Sequence, residues 1–193
     1  MRRLPPGPHG LPPELVERNQ RERLIAAMAE VSAEKGYGAT SVADVARGAG
    51  VSTASFYRQF RDKRECMLAS FEELFGRLLG GIEGACAEGA EPKAKLRRGV
   101  RTASALLDGD LPTARLLTIE IAAVGPEGVR LQHKAIERLA QRLRAARGLD
   151  VEEPPIFPDR EWAAVAAIVA LVVKRVAAEE AIEAAEIEAI CGL

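Results

Sequence analysis

"SVADVARGAGVSTASFYRQF", residues 41–60, reads as two short helices joined by a glycine turn. Ser41, with Asp44 three residues on, makes a capping-box start. Val42, Val45, Ala46 and Ala49 then form one apolar stripe at helical spacing. Gly50 stands where a tight turn needs positive φ at low steric cost. Val51 can fill the angle between the helices, and Ser52 caps the next one. On that helix Phe56 and Phe60 lie four apart and share an inward face, which leaves Ala54 and Arg58 outward with Ser55 and Tyr57 on the flanks.

Short helix, glycine turn and capped short helix make a helix-turn-helix, whose second helix enters a DNA major groove about 12 Å wide. The residue types suit that task. Small side chains at Ala54 and Ser55 let the backbone approach, and the Thr53 and Ser55 hydroxyls can reach base edges or backbone. The Tyr57 hydroxyl, at the end of a rigid ring, suits a phosphate oxygen. Arg58 can pair bidentately with a guanine edge or hold a phosphate. Lys63, at the start of a following helix, and Ser41, at the start of the earlier one, stand where helix N-termini attract phosphate.

The surrounding chain fits this reading. It has 193 residues and a net charge of −1, but residues 1–65 carry 11 Lys/Arg against 8 Asp/Glu, while the remainder is net acidic. A basic head on an acidic body points to a polyanionic partner. Upstream, an amphipathic helix fits from about Val16 to Lys35, with Leu24, Met28 and Val31 on one side and Gly36 as a left-handed cap. Before it, "MRRLPPGPHGLPP" holds five prolines and two glycines, so residues 1–13 read as an unstructured arm. Arg2 and Arg3 can add minor-groove contacts there, or the arm can be a leader without function.

Downstream, a helix is expected from about Asp62 to Glu83, linking head to body. Glycine and proline stops then divide the chain into helices near 93–107, 112–122, 127–146, 160–178 and 180–190. Alanine, leucine, glutamate and arginine dominate, and no strand pattern is present. The expected fold is all-α: a small helix-turn-helix head over 14–64 and a larger helical body over 65–193.

Within the body, "WAAVAAIVALVVKRV" (162–176) is apolar nearly all round its helix and needs cover on more than one side. With the stretch after it, this helix can form half of a four-helix bundle across a two-fold axis. Trp162, Val165, Val169, Val172, Ile182 and Ile190 are the residues expected at such a homodimer interface. Two recognition helices about 34–36 Å apart would then read successive major-groove faces of a palindrome.

Other functions find less support. Of two histidines, His9 falls in the arm, so neither a Ser/His/Asp nor a Cys/His set can form, and no phosphate-binding glycine loop appears; an enzyme is not expected. Cys66, Cys86 and Cys191 are odd in number and widely spaced, which argues against disulfides, metal ligation and any cofactor, and fits a reducing cytoplasm. Cys86 and Cys191 read as buried, inert thiols. The longest apolar run, Ala163 to Val173, falls short of the roughly 20 residues of a membrane span, and with prolines rather than an apolar segment after Arg3 neither a signal peptide nor a twin-arginine signal is expected. A pocket in the body would be apolar, with Phe157 and Trp162 its available aromatics and His133 a candidate polar anchor. The rival reading is a helical dimeric interaction or ligand-binding module without DNA binding.

With these residues in place, "TSVADVARGAGVSTASFYRQFRDKRE" resembles the DNA-binding head of the tetracycline-repressor (TetR) family of bacterial regulators, over about residues 18–68. The resemblance implies a three-helix head, a mostly helical ligand-binding and dimerising body, and repression of a palindromic operator relieved by a small molecule. By position it assigns Thr40 and Ser41 to phosphate contact, Ser52, Thr53, Ala54 and Ser55 to the groove, and Tyr57 and Lys63 to backbone phosphates. Gln59 stands where the family commonly has histidine, and Arg64 where an acidic residue commonly follows the lysine.

Overall fold

The computed structural model describes residues 12–87, 91–149 and 159–193. These form nine α-helices and one 3₁₀ turn, with no strand among the described residues. In order they are α1 (Pro13–Ala39), α2 (Val42–Ala49), α3 (Thr53–Gln59), α4 (Lys63–Ala87), α5 (Pro92–Asp108) and α6 (Leu111–Thr118), then the 3₁₀ turn Glu120–Val124, α7 (Pro126–Ala146), α8 (Arg160–Ala178) and α9 (Ala184–Cys191). Nearly all of the expected arm, with Arg2, Arg3 and His9, lies outside the described residues, as does Phe157.

The head is built as its sequence dictates. Leu24, Ile25 and Met28 of α1 are buried with Val45, Ala46 and Ala49 of α2 and with Phe56 and Phe60. The break in α1 is sharper than a left-handed cap: Gly36 has φ 80 and ψ 150, a conformation that costs a side-chain-bearing residue about 1–3 kcal/mol. α2 opens with a complete capping box between Ser41 and Asp44 and ends on Gly50 at φ 60, ψ 40. Arg23 of α1 donates to the Gly50 carbonyl (3.0 Å) and to that of Ala49, closing the exposed end of α2 onto α1.

Asp62 accepts the Glu65 amide (2.8 Å) and the Glu65 carboxylate accepts the Arg61 amide (2.7 Å), which fixes the start of α4. α4 then runs unbroken from head to body. Cys66, Met67 and Phe71 are buried near its start and Leu74, Phe75 and Leu79 further on, all within one continuous core. α5 lies so close to α4 that a Cβ on Gly99 would stand 2.7 Å from the Cys86 sulfur.

Two expected helices differ. The segment expected as one helix over 112–122 splits, because after Ile119 the chain tightens into the 3₁₀ turn that Gly125 closes at φ 96. Gly128 packs that turn against α7, where any Cβ would overlap the Ile121 carbonyl. The last helix begins at Ala184 rather than 180. Glu179 turns left-handed at φ 56, and the Ile182 backbone is held by α5: its amide donates to Asp108 (3.0 Å) and its carbonyl accepts the Ser104 hydroxyl.

The expected dimer face needs correction at three positions. Val165, Val172 and Ile182 are 5%, 2% and 4% exposed, so they serve the body's own core. The pattern required cover on several sides of α8 without saying whose; α6 and α7 supply much of it. Trp162, Val169 and Ile190 are half-buried. The open side of α8 instead carries Ala163, Ala167, Ala170 and Ala177 with Lys174, and that of α9 carries Ala185 and Ala189.

Candidate DNA-binding face and effector cavity

α3 divides its residues cleanly. Phe56 is fully buried and packs edge-on to Tyr57, whose own side stands 59% exposed. Ser52, Thr53, Ala54, Tyr57 and Arg58 are all open to solvent around the N-terminal half and outer face of the helix. The Ser52 hydroxyl accepts the Ser55 amide (3.0 Å), the expected N-cap. Ser55 itself is placed differently from expectation. It is 7% exposed, and its hydroxyl pairs with Ser52 and accepts from Arg58 (2.8 Å), so it braces the arginine rather than facing the groove.

Two residues expected at phosphates also have partners within the protein. Thr40 is 3% exposed and donates its hydroxyl to the Gly36 carbonyl (2.9 Å). Lys63 donates to the carbonyl of Tyr37 (2.9 Å), with its ammonium 4.3 Å from the Tyr37 ring centre. Ser41 remains exposed and donates its amide to Asp44 (3.0 Å). Lys35 and Ser41 hold the Asp44 carboxyl well below the usual carboxylate range. Where the family pattern is broken, Arg64 pairs with Glu127 of α7, and the Gln59 carbonyl accepts from Arg21 at 3.5 Å.

The body contains a cavity of about 260 Å³ between α4, α5, α6, α7 and α8, with Ile187 and Cys191 of α9 on one wall. Its lining is overwhelmingly aliphatic and aromatic, including Phe71, Phe75, Ile82, Leu96, Val100 and Val169. Phe71 and Cys86, toward its two ends, are roughly 22 Å apart along α4 at 1.5 Å per residue. The expected apolar pocket is therefore present, but His133 is exposed and does not line it. Its neighbour Gln132 does, donating its side-chain amide to the Thr118 carbonyl (2.9 Å) at the end of α6. Burial pushes the Cys86 and Cys191 thiols up, against the opposing effect of Arg98 on Cys86 and Arg147 on Cys191. Cys66 lies elsewhere in the core and is pushed up to about 12. Among the described residues no cluster of metal-ligating side chains is found, and no helix is long and apolar enough to cross a membrane.

Between cavity and head sits a residue the sequence reading passed over. Glu120, 5% exposed, accepts the Tyr37 amide (2.7 Å) just past the Gly36 break and also accepts from Arg115 of α6 (3.2 Å). The signal was available: "LLTIEIAAV" sets one carboxylate in an apolar run, and such a group is buried only with partners. One turn of chain thus touches both the cavity wall, through Leu117 and Thr118, and the backbone that leads into α2.

The described residues thus form a helix-turn-helix head joined by a continuous helix to a hollow helical body. Residues 24–70 match the family described as "Bacterial regulatory proteins, tetR family". Over 99 residues the chain is 31% identical to the fatty acid metabolism regulator protein of Bacillus subtilis (strain 168), a match covering 51% of each protein, so the chain spans about half the length of that relative. Two solved structures share its fold. FadR of Bacillus subtilis, crystallised in complex with stearoyl-CoA, is 23% identical with a TM-score of 0.72, covering 89% of this chain and 96% of that one. The TetR-family regulator PfmR of Thermus thermophilus is 26% identical with a TM-score of 0.66, covering 89% and 95%.

Proposed function

We propose that this chain is a cytoplasmic, dimeric, sequence-specific repressor that leaves a palindromic operator when a compound with a long alkyl chain fills the body cavity. The observation that carries the DNA-binding half is the outer face of α3, where Tyr57 and Arg58 are exposed on a helix whose Phe56 is fully buried.

The lining of the cavity supports the effector class. It is apolar along roughly 22 Å of α4, which suits a long alkyl chain. FadR of Bacillus subtilis, a fold relative, was crystallised with stearoyl-CoA. Signal transfer is assigned to Glu120: a ligand that shifts α6 moves Arg115 and the 3₁₀ turn, and through the Tyr37 amide the entry to α2. Dimerisation is assigned to the alanine-rich open sides of α8 and α9, where small side chains let helices approach closely. The domain division at residue 64 is retained as a functional one, since α4 itself crosses it.

Fluorescence anisotropy with DNA from beside the protein's own gene, against scrambled DNA, tests the first half. Selective binding that alanine at Tyr57 and at Arg58 each weakens is expected; unchanged affinity in both variants would remove α3 as the reading helix.

A further inference from the structure

Among the described residues that line the cavity, Glu83 and Arg142 are the charged ones, and both stand at the same end. Glu83 lies near the end of α4 and Arg142 near the end of α7, and they pair at 2.9 Å with their side chains about half exposed. Two more cations flank this end. Arg98 of α5 donates through Nε to the Ala85 carbonyl (3.1 Å), while its Nη2 is buried with no partner. Lys95, one turn earlier, has its carbonyl 3.5 Å from the Cys86 thiol, and its charge, like that of Arg98, lies near enough to favour the Cys86 thiolate. The opposite end is neutral: Phe71, Leu117, Thr118 and Val172, with the Gln132 amide already engaged.

An amphipathic ligand cannot be indifferent to this asymmetry. Its charged head cannot enter the apolar end without losing hydration that nothing there replaces, so the chain points toward Phe71 and the head stays between α4, α5 and α7. Among the described residues that line or flank this end, Arg142, Arg98 and Lys95 favour an anion, and a guanidinium binds carboxylate or phosphate with directed, charge-assisted hydrogen bonds.

We infer that this end of the cavity is an anion site, in which Arg142, flanked by Arg98 and Lys95, exchanges its Glu83 partner for the carboxylate or phosphate head of the ligand. The inference rests on the reading of the cavity as an effector site and adds its selectivity: ionised acyl compounds are taken in preference to neutral ones of equal chain length. Glu83 acts as the resident competitor, closing the end when no ligand is bound.

Binding of laurate, lauroyl-CoA and dodecanol to the purified full chain, below their micelle-forming concentrations and across a salt series, tests this. The two anionic compounds should bind at least tenfold more tightly than the alcohol, with a gap that narrows as salt rises. Whichever anion leads identifies a carboxylate or a phosphate as the natural head. Arg142→Ala should bring the anions down to the level of the alcohol, whereas Glu83→Gln should tighten the anions several-fold and leave the alcohol unchanged. Both substitutions break the same ion pair, so a purely structural pair would shift all three ligands in one direction; that result would overturn the anion site. Equal binding of alcohol and anions by the unaltered protein would overturn it too, while leaving the cavity reading intact. If none of the three binds, the cavity reading itself falls and the anion site with it.

Discussion

Tyr57 and Arg58 occupy adjacent positions yet make different demands on DNA, and their variants should separate the two. Tyr57→Phe removes only a hydroxyl, so binding should weaken by about tenfold to a hundredfold, the worth of one hydrogen bond to a charged phosphate. If Arg58 holds a phosphate, Arg58→Ala lowers the slope of log affinity against log salt by about 0.9; if it reads a guanine, the slope stays and discrimination at one base pair is lost. Anisotropy titrations at several salt concentrations distinguish these, and no change in affinity, slope or discrimination would take Arg58 out of the interface. Asp44 offers a check that involves no DNA. Its folded carboxyl is depressed by Lys35 and Ser41, so the stability it adds is present above the unfolded value near 3.9 and is lost as pH falls through the lower folded value. The difference in unfolding midpoint between the protein and Asp44→Asn should therefore be constant from about pH 5 to 8 and close below about pH 4. At this scale the sequence was informative where one side chain does one job, as at Phe56 or Ser52. It did not show that the polar groups of Ser55, Thr40 and Lys63 also have partners within the chain, which only packing reveals.

Among the elements, the link between the 3₁₀ turn and α1 makes the sharpest demand. The Glu120 carboxylate accepts from two donors at once. Glutamine keeps the shape but turns one donor toward another, which should cost about 1–3 kcal/mol and lower the thermal midpoint by a few degrees. It should also reduce the effect of a cavity ligand on DNA affinity; an unaltered ligand response in Glu120→Gln would show that the signal travels elsewhere. Gly36→Ala tests the same junction from the other side, since φ 80 is strained for alanine. The order of the helices and the capped helix-turn-helix were legible because caps, glycines and apolar periodicity are local signals. The division of 112–122 and the late start of α9 were not, because both are imposed by distant contacts: Gly128 against Ile121, and Ser104 and Asp108 against Ile182.

At the scale of the whole molecule, an all-α chain was predictable from composition and helix stops, and its helix-turn-helix head from one twenty-residue stretch, but the partition of α8 between its own core and a partner was not. Hydrophobicity all round a helix records that it is covered, never by which chain. Ala170→Glu on the open side of α8 should convert a dimer to a monomer in analytical ultracentrifugation while helix content is retained; an unchanged dimer would place the interface elsewhere. The central claim is that occupation of the cavity and occupation of DNA are linked. The most direct measurement is operator affinity by anisotropy with and without a saturating long-chain acyl compound, in the unaltered protein and in Ala103→Trp, which fills the cavity wall. The account predicts that the compound weakens DNA binding at least tenfold in the first and has no effect in the second. Equal affinity with and without the compound, in a protein shown to bind it, would contradict the account.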